Sequence, residues 1–483
     1  MPDPDGACDD SVDGRFVRAP VASAYLAGYL NHRRGDLDSH DVIDSGDLLD
    51  AQSAPLLADL LLRRDPELVA LSTYVWNART VAETVAELRS RSDAVVVLGG
   101  PDVQHTPELA LKRFPSADFI CTGEGELALL GLVERLDASR TRALEDPPPG
   151  IAGHMGDGGP APLVAELDTI PSPFREGIVE VPHSGWVDIE TVRGCPFTCS
   201  FCLYGKNLSS VRSFSLERVR ADLGWLLQHG ATDIYFLDPT FNLPRERCQS
   251  ILDTLGELNG DRRAGIYAEA RAEAIDEDLA DRMAAAGIRS VEVGLQAVQS
   301  SALKLMHRGL GRKGFVRGCE RLRDRGIRVD IGIILGLPGD TAETIRETID
   351  YATQDLLGEV SAYRLRVLPG SDYWRRARSL GLDYAEEPPY FIRQTPLLSN
   401  TALEAIEAEA HERLEPHNSA YMDLIGRNAT SLVAKLGAAK AAKTSAGRES
   451  LQAKKEMLHA KKESLHAKKE SLQAKEPTHG LSI

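Results

Sequence analysis

Short apolar runs rich in β-branched residues, separated by helical segments, constrain this chain more than any other feature. In residues 20–135 the runs HDVIDS, ELVALSTYV, DAVVVLGG and DFICTG read as buried parallel strands. Segments between them, such as TVAETVAELRSRS, place apolar residues at helical spacing. Such alternation implies an α/β, doubly wound (Rossmann-like) open sheet, whose ligands sit outside the carboxyl ends of the strands. The glycine-rich exits Gly99-Gly100-Pro101 and Gly123-Glu124-Gly125-Glu126 are where a large cofactor could approach the backbone.

From about residue 186 the rhythm returns with longer helices. WVDIETV, DIYFLD, GIYAEA, SVEVGL, VDIGIIL and SAYRLRV are the strand candidates. Six βα units in about 190 residues suit a partial (βα)6, TIM-like barrel, because a full eight-fold barrel needs about 250 residues. The expected organisation is therefore an α/β domain at 1–140, a Pro/Gly-rich linker at 141–185, and the barrel at 186–380. A helical appendage follows at 381–435, then a repetitive Lys/Glu tail at 436–483. The linker carries PPPG, GDGGPAP and IPSPF, which disfavour regular structure. In the tail, ESLQAKK-like heptads bring Leu back at 451, 458, 465 and 472. Ala follows each Leu two residues later, so no coiled-coil seam forms, and disorder or a marginal, solvated helix is expected.

A net charge of −16 argues against nucleic acid or anionic lipid as partners. No apolar run approaches the roughly 20 residues that span a bilayer, and the acidic start MPDPDGACDD lacks the character of a secretory signal. A cytoplasmic location is expected. Of the seven cysteines, Cys8, Cys121, Cys248 and Cys319 are scattered and read as small buried hydrophobes.

The other three crowd into Thr191-Val-Arg-Gly-Cys195-Pro-Phe-Thr-Cys199-Ser-Phe-Cys202. Cubane iron–sulfur clusters usually take four thiolates. Three on one loop leave an iron open to chelate a small molecule, much as a catalytic zinc keeps a free position. A structural zinc site would need a fourth Cys or His close by, and the first His downstream is His229.

CxxxCxφC with an aromatic residue, Phe201, before the last cysteine resembles the signature of the radical S-adenosylmethionine (SAM) superfamily. Further resemblances follow in order over about 185–375: Glu269 as the acidic position after the third strand, Gln296 at the end of the fourth, Arg308 in Met306-His307-Arg308, and Gly336-Leu337-Pro338 against the adenine. The GGE-like motif that holds the SAM amino group in many members is replaced by Phe236-Leu237-Asp238, so Asp238 or Glu269 could take that role. Arg308 could pair with the SAM carboxylate, as a guanidinium suits that geometry. The resemblance implies a [4Fe–4S] cluster on Cys195, Cys199 and Cys202 as catalytic centre, reductive SAM cleavage to a 5′-deoxyadenosyl radical, and a one-electron donor such as flavodoxin or ferredoxin. Asn242, Tyr363 and Arg364 are further candidates for facing the substrate.

A doubly wound domain ahead of such a barrel resembles the cobalamin (B12)-binding subgroup. Ser72, Thr73, Tyr74 and Trp76 after one strand, Gly99 and Gly100 after the next, and Gly123 and Glu124 after the third are the candidate cofactor contacts. The hydroxyls would meet cobalamin's polar edge, and Trp76 would stack near the corrin. The DxHxxG motif is incomplete, since Ile43 stands at the glycine position after Asp38 and His40, which makes His40 a surface residue. The resemblance implies a cobalamin-dependent methyltransferase acting on an unactivated carbon of a natural-product or peptide substrate. The alternatives are a non-methylation radical reaction such as ring formation or rearrangement, and a non-catalytic SAM- or cobalamin-responsive binding protein. Methylthiotransfer to RNA is disfavoured, since a second cluster would need N-terminal cysteines beyond Cys8 and Cys121.

Overall fold

The computed structural model of the protein describes residues 20–35, 53–139, 143–182, 184–204 and 211–426. The HDVIDS run with His40, Cys8 and the heptad tail lie outside the described residues.

The first sheet has the order β1 (Leu68–Ser72), β2 (Val95–Gly99), β3 (Phe119–Cys121), β4 (Ile151–Gly153). The first three are parallel, and β4 is antiparallel to β3. Strand alternation sorts their side chains between two cores. Val96, Leu98 and Ile120 pack with helices α2 (Ala54–Leu62), α3 (Ala78–Arg91) and α4 (Pro107–Arg113). Val95, Val97, Phe119 and Cys121 pack with α1 (Val21–Arg34) and α5 (Gly125–Ser139). Helices thus cover both faces, which is the doubly wound arrangement that the alternation implies.

The Pro/Gly-rich stretch differs from its expectation, because it supplies β4. Ile151 there is fully buried, and three residues suffice to close a sheet edge.

The second sheet is the partial barrel. Six parallel strands stand in sequence order: β5 (Trp186–Ile189), β8 (Asp233–Phe236), β9 (Gly265–Ala270), β10 (Ile288–Gln296), β11 (Arg328–Leu335) and β12 (Glu359–Arg364). A short pair, β6 (Val192–Arg193) and β7 (Arg212–Ser213), lies beside them. The barrel helices are α6 (Leu216–Gln228), α7 (Arg245–Leu258), α8 (Glu277–Ala286), α9 (Ser300–Leu305), α10 (Arg312–Arg323) and α11 (Ala342–Thr353). Side-chain caps fix the starts of three of them: Ser215 accepts from the Arg218 amide, Asp276 from that of Leu279 and Thr341 from that of Thr344, which satisfies otherwise orphaned donors.

After α12 (Asp372–Leu380) comes a ribbon of β13 (Asp383–Tyr384) and β14 (Ile392–Gln394), then a helix over 400–426. The appendage expected to be helical therefore also contains strands. Its helix covers the open edge of the sheet: Asn418 bonds both the amide and the carbonyl of Val360 on β12, at 2.9 and 3.1 Å. An edge strand whose backbone is paired cannot recruit another chain there.

Candidate active site

The chain leaves β5 through Glu190 into the cysteine loop, and one buried carboxylate fixes the turn. Asp238, beyond the end of β8, accepts from the amides of Thr191 (2.7 Å) and Val192 (3.0 Å) and from the Thr191 hydroxyl. Burial pushes the Asp238 carboxyl above its ordinary range, while those three donors oppose the shift. Asp238 is therefore not a spare carboxylate for the SAM amino group, because Oδ1 is committed to two backbone amides and Oδ2 to the Thr191 hydroxyl at the entry to the cluster motif. Replacing it with Asn keeps one oxygen for the two amides but sets an NH2 against the Thr191 hydroxyl and removes the charge that these donors stabilise, at a cost of about 1–3 kcal/mol. Purified Asp238→Asn is expected to hold several-fold less iron at unchanged far-UV circular dichroism. Wild-type iron with weakened SAM binding would instead restore the direct SAM contact.

Past this turn, several elements tether the loop. The Ser200 amide donates to the Met306 carbonyl (3.0 Å), and the Ser200 carbonyl accepts from the Tyr373 amide (3.0 Å). The Ser200 hydroxyl lies 3.2 Å from His307 Nδ1. The Arg271 guanidinium sits over the Phe197 ring, 4.8 Å from its centre. Cys199 is buried, Cys195 and Cys202 are half-buried, and none of the three is in a disulfide. Phe201 is half-buried between them. Among the described residues, no three Cys, His, Asp or Glu side chains converge as the ligands of one metal ion would. Thiolates on three different irons of a cubane need no common focus. The donor set of three thiols on one tethered loop fits a [4Fe–4S] cluster.

The other barrel candidates stand at the same carboxyl end. Glu269 on β9 accepts from the Tyr235 hydroxyl (3.3 Å), and burial raises its carboxyl above the usual range. Arg308 reaches the Gly294 carbonyl with one amine and lies 3.8 Å from Cys199 Sγ with the other, while its Nε is buried without a partner. Gln296 ends β10 at a register shift, with φ +67°. Gly336, Leu337 and Pro338 leave β11 buried, and the Leu337 amide donates to Asp340 (3.1 Å). Leu337 is fully covered, so its side chain offers no surface to an adenine.

Asn242 and Arg364 are occupied elsewhere. The Asn242 amide bonds the Arg271 backbone in both directions (2.9 and 3.0 Å), and Arg364 donates to the Ile392 carbonyl (2.8 Å) and Asn400 (2.6 Å). Tyr363 is 40% exposed.

Between the first sheet and the barrel lies a cavity of about 550 Å³. Ser72, Tyr74, Gly99, Gly100, Gly123 and Glu124 line it from the strand exits, Tyr25 and Leu26 from α1, and Glu190, Arg193, Leu203, Tyr204 and Leu237 from the barrel side. Apolar walls with a few polar groups at strand exits fit a large macrocycle such as a corrin.

Two expectations change here. Thr73 is fully buried beside the cavity, with its amide on the Gly99 carbonyl (2.7 Å) and its hydroxyl unpartnered. It does not line the wall. Trp76 is 75% exposed, stacks on Tyr74 at 4.5 Å, and is likewise not a wall residue. The glycines are needed by the protein itself: a Cβ on Gly100 (φ +100°) would meet the Thr73 carbonyl at 2.7 Å, and one on Gly123 (φ +83°) would meet Ala161 at 2.9 Å.

Sequence reasoning assigned no role to Arg193, two residues before Cys195. Its guanidinium bonds Glu126 at 2.7 Å and Glu190 at 2.9 Å, and lies 3.7 Å from Glu124. Glu124 is itself held by Arg212 and by the Val164 amide (3.2 Å). Glu124 is thus a tie between the domains, with little free capacity for a cofactor.

The comparisons with known proteins agree with this geometry. A family model of the radical SAM superfamily matches residues 189–352, and one of the B12 binding domain matches residues 16–133. The chain thus carries a radical SAM domain preceded by a B12-binding domain. The cofactors that go with the two domains are SAM with a [4Fe–4S] cluster, and cobalamin. This radical SAM protein is 27% identical to the uncharacterized methyltransferase PH0819 of Pyrococcus horikoshii, over 74% of its own chain and 78% of the relative. It is 27% identical to the cobalamin-dependent radical SAM methyltransferase TokK of Streptomyces tokunonensis over 64% of its chain, and spans 48% of TokK. It is 29% identical to the anaerobic magnesium-protoporphyrin IX monomethyl ester cyclase of Rubrivivax gelatinosus over 69% of its chain and 61% of the cyclase.

In fold it resembles the radical SAM methyltransferase TsrM of Kitasatospora setae, whose structure holds cobalamin and a [4Fe–4S] cluster. The TM-score is 0.62 at 22% identity, covering 79% of this chain and 76% of TsrM. Among the described residues, no helix is long and apolar enough to cross a membrane.

Proposed function

We propose that this radical SAM protein methylates an unactivated carbon of a natural-product or peptide substrate, using cobalamin and SAM. One observation carries the reading: Leu203 and Tyr204, which directly follow Cys202, form part of the wall of the strand-exit cavity. The two cofactor sites therefore adjoin. When bound, the cluster with SAM supplies one-electron carbon–sulfur cleavage, and cobalamin supplies a transferable methyl group.

The chain's own residues do the rest. Cys195, Cys199 and Cys202 hold three irons and leave the fourth for SAM. Arg308 is placed to hold the SAM carboxylate, and Glu269 is the acid left for its amino group once Asp238 is committed to the loop. The backbone of Gly336–Pro338 borders the adenine. Tyr25, Tyr74, Leu203 and Leu237 exclude water from the cavity, while Ser72, Gln104 and Glu190 provide polar contacts for the corrin's amide rim. A one-electron donor such as flavodoxin or ferredoxin supplies the electron, and the enzyme works in the cytoplasm.

Anaerobic turnover with SAM, cobalamin and reductant is expected to give S-adenosylhomocysteine and 5′-deoxyadenosine together with methylated product. The cyclase relative favours a second reading, ring formation without methyl transfer. It is adopted if 5′-deoxyadenosine forms with no methylated product in the presence of methylcobalamin.

A further inference from the structure

Tyr373 belongs to the first turn of α12, whose start is capped by Ser371 accepting from the Trp374 amide (3.1 Å). Its own amide donates to the carbonyl of Ser200, the residue after Cys199. This bond brings the start of α12 onto the cysteine loop. The Tyr373 ring has no exposed surface, and its hydroxyl is buried without a hydrogen-bond partner. Such a vacancy costs about 1–3 kcal/mol, and buried polar groups in native proteins are nearly always paired. A retained hydroxyl of this kind signals an acceptor that arrives with a ligand.

The groups around it identify which ligand. Burial, the Asp340 carboxylate and the Cys199 thiol oppose ionisation of Tyr373, while Arg376 favours it, so these three side chains are the hydroxyl's electrostatic neighbours. Asp340 already accepts from the Leu337 amide (3.1 Å) and the Thr344 hydroxyl (3.5 Å). Cys199 has one donor beside it, Arg308, whose Nε is a second buried polar atom without a partner. Two unsatisfied buried donors therefore belong to residues that hold the cysteine loop: Tyr373 through the Ser200 carbonyl and Arg308 beside Cys199 Sγ.

We propose that the Tyr373 hydroxyl donates a hydrogen bond to sulfur at the Cys199 corner of the cluster and thereby raises its reduction potential. This rests on the reading that Cys195, Cys199 and Cys202 hold a [4Fe–4S] cluster. Reduction adds negative charge that spreads onto the sulfurs, and a donor aimed at them favours the reduced form. Tyr373 does not hold the cluster, and it forms no bond that changes in the reaction. It sets how readily the electron enters.

The test uses full-length protein and Tyr373→Phe, both reconstituted anaerobically with iron and sulfide. Iron and sulfide content is read first. Wild type without a cubane refutes the cluster reading itself, which separates that failure from failure of this inference. With a cluster in both proteins, an EPR-monitored redox titration without SAM is expected to show a lower potential in the variant. The expected shift is about tenfold in the one-electron reduction equilibrium, or about 59 mV, with an unchanged or raised melting temperature in the cluster-free proteins, where the wild-type hydroxyl is unpaired. An exchangeable-deuteron coupling to the reduced cluster in D2O is expected to weaken as well. Equal potentials with equal deuteron couplings overturn the proposal. So does a folded variant that fails to assemble the cluster, since that would make Tyr373 a structural support.

Discussion

Arg193→Met is expected to destabilise the protein by about 3–5 kcal/mol at neutral pH, read as a lower urea midpoint. The figure is the usual loss when one member of a buried ion pair is removed and its partner stays charged. Arg193 is 10% exposed and faces Glu126 at 3% and Glu190 at 18%, with Glu124 at 10% on its far side. Arg212 still neutralises Glu124 in the variant, but Glu126 and Glu190 are left without a cation.

The pH dependence has a definite sign. Burial already raises Glu190 above its ordinary range despite Arg193, which opposes the shift. Removing Arg193 raises it further, so the folded variant binds more protons than the unfolded chain over the window above the ordinary Glu value. Its stability then falls as pH rises through that window. The deficit relative to wild type should shrink towards pH 4.5 and be largest at neutral pH. A loss under 1 kcal/mol, or one independent of pH, would show that the carboxylates are solvated and that the tie is not structural. Cobalamin binding should weaken in parallel, because Arg193 and Glu190 both line the cavity.

The second large effect is on chemistry. Cys199→Ala is expected to lower SAM cleavage by at least about 10³-fold, since without a third thiolate the cubane is not retained and no other group supplies the electron. Cys195→Ala and Cys202→Ala should do the same. Because the loop is also held through Ser200, Asp238 and Arg271, the apo variants should fold with wild-type circular dichroism. Cys248→Ala is the control: that thiol is buried in α7, so its loss should leave cleavage intact. Residual cleavage above a tenth of wild type in any of the three loop variants would remove the cysteines from the catalytic centre.

The elements that the sequence foretold are those whose burial is periodic. The six barrel strands are marked by short apolar or alternating runs, as VDIGIIL is for Arg328–Leu335, and the two-faced first sheet by unbroken apolar runs such as VVVLG. Ile-Ala-Gly at 151–153 is too short for any period to register, and the neighbouring Pro and Gly hide it.

Among site residues, the cysteines are legible because their spacing is local. The role of Asp238 is not, since its partners are backbone groups 47 and 46 residues away. Arg193 bonds Glu126 across 67 residues, a pairing that no local pattern reports. Thr73 and Trp76 stand on the expected strand exit, but the exposure of each side chain is set by tertiary packing: Thr73 is fully buried, and Trp76 is exposed and stacked on Tyr74.

The central claim is a three-cysteine cubane whose fourth iron is open to SAM. Mössbauer spectroscopy of anaerobically reconstituted, ⁵⁷Fe-labelled protein tests it most directly, recorded before and after SAM is added. The account predicts four irons per chain and a change confined to one iron site when SAM binds. Protein that holds zinc in place of iron, or a cubane whose four sites are all indifferent to SAM, would contradict it.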